Sequence, residues 1–307
     1  MIYQEPILQT KLFGLRVYLN EFVRLYDNDK LPNKILLTGQ KGLGKATLAF
    51  HFINHILSKN EKYNYDLDNL EINPQNSSYV TLINKSNPNI ILIDINDDKK
   101  NIDISQIRDL ISNLNKSSFN SKPRIVLIDN IELLNKNSIN ALLKIVEEPN
   151  EGIFFIFIDN NKNVLQTLKS RCLNFKISLS HKLSLEVINK LLNSDVYDLV
   201  SSDLLSYYFT PGQIYNLVNL SYKHNIELSE LNLDKIILLF INNSFYKKEP
   251  SFRIFLYEFI EYYFLTKTSL EDISFYNDFL KKVNYVKRFN LDDESLFLEF
   301  KSKVLNE

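Results

Sequence analysis

Three of the six glycines in this 307-residue chain fall in one short run, Gly39-Gln40-Lys41-Gly42-Leu43-Gly44-Lys45-Ala46-Thr47. Such a run suits phosphate chemistry. Glycines admit the left-handed and close-approach backbone that turns successive N–H groups toward phosphate oxygens, a following helix N-terminus adds positive dipole, and Lys45 can reach the outer phosphates of a nucleotide. The full motif ends in Lys followed by Ser or Thr, whose hydroxyl ligates magnesium, and here Ala46 holds that place. Thr47 comes one residue late, and a turn of about 100° per helical residue carries its hydroxyl away from where the ligand belongs.

A second acidic element has a matching departure. Ile125-Val126-Leu127-Ile128-Asp129-Asn130 ends an apolar run on an aspartate, where nucleotide-hydrolysing sites carry Asp followed by Glu. Asp129 could contact a magnesium-bound water, or it could cap the turn that follows a strand. Asn130 cannot accept a proton from an attacking water as a carboxylate does. The residues named for a degenerate nucleotide site are therefore Gly39, Gly42, Gly44, Lys45, Thr47 and Asp129. The expectation is weak ATP binding at most, and the two departures argue against magnesium-dependent hydrolysis.

The elements that must hold these residues are legible as a period. Short aliphatic runs at Ile35–Leu37, Ile90–Ile93, Ile125–Ile128, Ile153–Ile158 and Leu173–Ile177 predict strands covered on both faces. Helical stripes separate them: Leu48, Phe52, Ile53, Ile56 and Leu57; then Ile104, Ile107, Ile111 and Leu114; then Ile139, Leu142, Leu143 and Val146. Strands alternating with helices predict a parallel five-stranded sheet with crossover helices. Residues 58–88, rich in Asn, Tyr and Asp, break the rhythm and predict an insertion or long surface loop. After Ser180 only helical stripes remain, such as Phe252, Phe255, Leu256, Phe259, Ile260 and Tyr263, or Leu296, Phe297, Phe300 and Val304.

Composition narrows the function classes. A formal net charge of −1 with 24% charged residues excludes a generally basic nucleic-acid coat, so any DNA contact is local; Lys41, Lys122 and Arg124 are basic residues near loops, with no stripe to make them a surface. Cys172 is the single cysteine, which excludes an intrachain disulfide and a multi-cysteine zinc site and fits a reducing compartment. His51 and His55 stand four apart on a predicted helix with no acidic base between them, and read as ordinary helix residues more than as metal ligands. No basic leader precedes a long apolar run and no segment has the apolar length of a membrane span, so the expected location is cytoplasmic.

Beyond the phosphate loop, Asn140-Ala141-Leu142-Leu143-Lys144-Ile145-Val146-Glu147-Glu148-Pro149 and the later Ser170-Arg171-Cys172 are far more particular. With Pro6, Gly14, the run from Lys34 to Ala49 and Ile104-Ser105-Gln106-Ile107-Arg108, they make the first 220 residues resemble the clamp-loader subunits of bacterial DNA polymerase III. The resemblance implies an AAA+ α/β domain over residues 1–180, a small helical lid over 181–225 and an all-α collar for oligomerisation over 226–307. It also implies that Arg171 is an arginine finger, donated in trans to ATP held by a neighbouring subunit, a role suited to a permanently charged guanidinium with five donors. Asn160 would be the first sensor residue, or a simple turn.

Ala46, Asn130 and the absence of an arginine soon after Gly212 in Pro211-Gly212-Gln213-Ile214-Tyr215 depart from the family's active tau/gamma member and point to the delta-prime type. The family's four-cysteine zinc module is absent as well, so residues 58–88 must be held by other means or stay mobile. The implied partners are the tau/gamma and delta subunits in a hetero-pentamer, primer-template DNA, and indirectly the sliding clamp. The competing reading is a working AAA+ ATPase, tau/gamma-like or of another DNA-processing kind, which the intact Lys45 favours.

Overall fold

The computed structural model describes every residue except 1–4, 96–98, 100, 117–118, 148–150, 161–165, 268–272, 290 and 306–307. Five strands, β1 (Lys34–Thr38), β2 (Ile90–Ile93), β3 (Arg124–Ile128), β4 (Ile153–Asp159) and β5 (Leu173–Lys176), form one sheet in the order β2-β3-β4-β1-β5, each neighbouring pair parallel. Parallel neighbours cannot be joined by tight turns. The crossovers carry α2 (Lys45–Ser58) and α3 (Ser77–Ile83) between β1 and β2, α4 (Ile104–Leu114) before β3, α5 (Lys136–Glu147) before β4 and α6 (Gln166–Lys169) before β5, while α1 (Arg16–Asp27) precedes the sheet.

The side-chain period of two assigns each strand residue to one of two cores. Ile35, Leu37, Ile125, Leu127, Ile156 and Ile158 pack with Leu19 and Phe22 of α1 and Leu48 and Phe52 of α2. Their neighbours Leu36, Val126, Ile128, Phe155 and Phe157 pack on the other face with Ile107 and Leu110 of α4 and Leu142 and Val146 of α5. The three central strands are thus buried on both faces, which is why their sequences run aliphatic without alternation. At the edges the cover thins: Leu92 of β2 is 39% exposed and Leu173 of β5 is 40% exposed.

All later elements are helical: α7 (His181–Leu192), α8 (Ser202–Leu205), α9 (Pro211–His224), α10 (Leu233–Asn242), α11 (Phe245–Lys248), α12 (Pro250–Lys267), α13 (Ile273–Phe289) and α14 (Glu294–Val304). The chain divides into two compact units, residues 2–190 together with Thr210–Gln213, and Leu191–Phe209 together with 214–307. The second unit has an aromatic core in which Phe240, Phe252, Phe259, Phe297 and Phe300 are fully buried, with Phe240 meeting Phe252 edge-on at 4.8 Å. Among the described residues no helix is long and apolar enough to cross a membrane.

Residues 58–88 are packed, and the glue is polar as much as apolar. Tyr65, Leu70, Ile72 and Tyr79 join the core on the α2 side. Asn76 caps α3 by accepting the Tyr79 N–H at 2.7 Å, and its amide donates to the Tyr63 carbonyl at 2.6 Å. Glu61 accepts the Ser78 hydroxyl at 2.5 Å and the Lys122 ammonium at 2.9 Å. Two of the basic residues left open for DNA thus work internally. Lys122 also donates to the Leu57 carbonyl, while the Arg124 guanidinium donates to the carbonyls of Asn113, Leu114 and Lys116 and closes the C-terminal end of α4.

His51 ties this segment to the N-terminal stretch. It is fully buried, its Nε2–H donates to the Gln9 carbonyl at 3.0 Å, and its Nδ1 accepts the Tyr65 hydroxyl at 2.8 Å, so the neutral ring satisfies both partners. Burial pushes its pKa down from 6.5 to about 4. The unfolded chain therefore takes up this proton first: the stabilisation is complete above pH 6.5 and is lost as the pH falls toward 4. Between pH 6.5 and 5 this one group is expected to remove roughly 2 kcal/mol of stability. Urea unfolding of wild type and His51→Gln across that interval checks it, and an equal pH slope in the two proteins counts against the assignment.

Candidate functional site

The phosphate loop lies where the parallel sheet places it, between the C-terminal end of β1 and the first turn of α2. Gly39, Gly42 and Gly44 all have positive φ, at 151°, 90° and 85°. At Gly42 space decides as well as backbone. A Cβ there would stand 2.3 Å from the Thr210 hydroxyl oxygen, and a Cβ on Gly212 would stand 2.6 Å from the Gly42 Cα. Loop and helix start are held by one backbone and one side-chain bond: the Gly212 N–H donates to the Gly42 carbonyl at 2.9 Å, and the Thr210 hydroxyl donates to the Lys41 carbonyl at 2.9 Å. Thr210 and Gln213 close a reciprocal cap on α9, the Thr210 N–H donating to the Gln213 side chain at 2.8 Å and the Gln213 N–H to the Thr210 hydroxyl at 3.3 Å.

Lys45 is 3% exposed and turned onto its own loop, its ammonium donating to the carbonyls of Gly39 at 2.8 Å and Gln40 at 2.7 Å. Burial lowers its pKa to about 8, against the pull of Asp129, Glu132 and Asp159. Asp129, at the end of β3, is pushed up to about 6 by burial and by Asp94, while the Asn130 N–H at 2.7 Å and the Lys45 charge oppose the rise. The fold thus brings Lys45 and Asp129 into one electrostatic neighbourhood from two separate strand ends. Thr47 sits half-buried one residue past Ala46 on α2.

Asn130, in the left-handed region at φ 51°, aims its amide N–H at Asp94 at 2.7 Å and accepts the Asn160 amide at 2.9 Å. The Asn160 N–H in turn donates to Glu132 at 3.3 Å. Asn160 therefore belongs to the site's polar chain. Three carboxylates here, Asp94, Glu132 and Asp159, were not singled out from the sequence. Their signal is positional: Asp159 ends β4, Asp94 directly follows β2, and Glu132 lies in the 3-10 turn Ile131–Leu133 that follows β3.

What this donor set suits can be judged from its chemistry. The glycine loop and a lysine fit a phosphate. Magnesium fits poorly, because Ala46 presents a methyl group where a hydroxyl ligand is needed, and Asn130 presents an amide already engaged on both sides. Among the described residues no group of His, Cys, Asp and Glu could hold a metal ion.

Arg171 lies at the surface in the turn after α6, its side chain 36% exposed. Its guanidinium donates to the Thr167 carbonyl at 2.7 Å and pairs with Glu147, the last residue of α5, at 2.7 Å. Glu148 and Pro149 lie outside the described residues. Cys172 is half-buried, and burial pushes its thiol up to about 11, so it is not a thiolate nucleophile.

Residues 15–181 match the family model described as "DNA polymerase III, delta subunit". A DNA polymerase III subunit delta' of Buchnera aphidicola (subsp. Schizaphis graminum) is 30% identical over 188 residues, 59% of this chain and 53% of that protein. A subunit gamma/tau of Mycoplasma genitalium is 29% identical over 200 residues, 64% of this chain and 32% of that protein. The match thus spans about half the length of the first of these relatives and about a third of the second. In fold, a DNA polymerase III gamma subunit-related protein of Thermotoga maritima superposes over 92% of this chain and 96% of its own, with a TM-score of 0.52 at 15% identity. A family model that takes in the sheet, the phosphate loop and the Arg171 turn, over more than half of the residues, places this chain in the DNA polymerase III clamp-loader family of delta and delta-prime subunits.

Proposed function

We propose that this chain is the delta-prime-type subunit of the clamp loader, an assembly subunit that does not turn over ATP itself and donates Arg171 to a nucleotide held by its neighbour. The observation that carries this reading is the surface position of Arg171 on a domain whose own loop lacks a magnesium hydroxyl. A guanidinium held in the turn after α6 can meet a γ-phosphate presented by another polypeptide, whereas the chain's own Lys45 is buried on loop carbonyls. In this proposal residues 181–225 form the lid and 226–307 the collar. The partners are tau/gamma and delta subunits in a hetero-pentamer, with primer-template DNA and indirectly the sliding clamp, in the cytoplasm.

A second reading, a working ATPase, draws on Glu132. This carboxylate stands near enough to Lys45 to raise its pKa and could replace the base missing at Asn130. The two readings part on the isolated chain. Under the first, purified protein shows little magnesium-dependent ATP turnover; robust turnover abolished by Lys45→Ala establishes the second.

Within the loader reconstituted with the same organism's gamma/tau and delta subunits, Arg171→Ala is expected to cut turnover at the adjacent site by a factor on the order of 10³. Folding should change by no more than about 1 kcal/mol, because the pair it breaks is exposed. Unchanged ATPase and clamp loading by the variant complex removes the arginine-finger role.

A further inference from the structure

Arg171 does not stand alone: its guanidinium is gripped from two sides. On one side are groups of its own turn, the Thr167 carbonyl at 2.7 Å and the Ser170 hydroxyl at 3.5 Å, both facing Nη1. On the other, Nη2 meets the Glu147 carboxylate at 2.7 Å. The placement of Glu147 runs against the local preference of its helix. As the last residue of α5 it sets a carboxylate beside the carbonyl end of the helix dipole, where a cation is favoured and an anion is not. Lys144 in the same turn follows the preference. The Arg171 guanidinium, 24 residues later in sequence, gives the carboxylate its partner.

We propose that Glu147 is a positioning residue for Arg171: it holds the guanidinium in place on the isolated chain and gives it up, by exchange of anions, when a neighbour's triphosphate arrives. This rests on the trans-acting role proposed above for Arg171. Both side chains are well exposed, Arg171 at 36% and Glu147 at 50%, so their pair is weak in water and readily exchanged. A triphosphate offers more charge and more acceptor oxygens than one carboxylate, and takes the guanidinium from it. The Thr167 contact can persist through the exchange, keeping the donor plane fixed while its anion changes. The exchange is completed as nucleotide binds, so its cost falls on ground-state affinity and not on the chemical step.

The test is a double-mutant cycle on the reconstituted loader, reading ATPase rate against ATP concentration. Glu147→Gln keeps the shape and removes the charge. It should lower the apparent KM at the adjacent site by about two- to fivefold, the range that an exposed ion pair can supply, and leave kcat unmoved. The shift should shrink as salt is raised, because screening already weakens the pair in wild type. In an Arg171→Ala background, where turnover at that site is too low to read, nucleotide affinity measured by equilibrium binding should be the same with and without Glu147→Gln. A raised or unchanged KM, or the same shift in the absence of Arg171, overturns the proposal. The two levels fail differently: Arg171→Ala with wild-type turnover removes the arginine finger and this inference together, whereas a strong Arg171→Ala defect with a silent Glu147→Gln removes only the inference.

Discussion

Burying a parallel sheet on both faces leaves its strand ends as the places where polar groups can gather, and the site of this protein follows from that constraint. Between their first and last positions the central strands offer no polar side chain. Asp129 and Asp159 then appear at the ends of β3 and β4, with Asp94 just past β2, around the loop that leaves β1. Burial at such a strand end, with the Asp94 carboxylate adding its repulsion, is what raises the pKa of Asp129. The buried ammonium of Lys45 is the counter-charge that makes this gathering of carboxylates tolerable.

The sheet and its helices were readable because their periods differ. Runs such as Ile125–Ile128 and stripes such as Leu48, Phe52, Ile56 carry enough apolar repetition to fix element and face together. All five strands appear within a residue or so of the expected positions. The family motifs were legible too, since glycine, lysine and arginine at set spacings have few other uses.

Residues 58–88 were not readable as packed structure, because the interactions that hold them are non-local and lie in residue types that usually mark loops. Nothing at Tyr65 announces that His51 awaits its hydroxyl, and nothing at Glu61 that Ser78 and Lys122 will converge on it. The same blindness applied to Lys122 and Arg124, which look like free basic residues in sequence and act as ties to carbonyls in the fold. Asp94, Glu132 and Asp159 escaped notice for a related reason: their role depends on which strand ends are brought side by side, and strand order is not printed in any local pattern.

Lys45 is already satisfied by two carbonyls of its own loop. An anion that draws the lysine away must therefore first replace two internal hydrogen bonds, and that fraction of its intrinsic affinity is spent before any is gained. The residue that ends the loop thereby fastens its beginning, closing Gly39 to Lys45 into a ring through one ammonium.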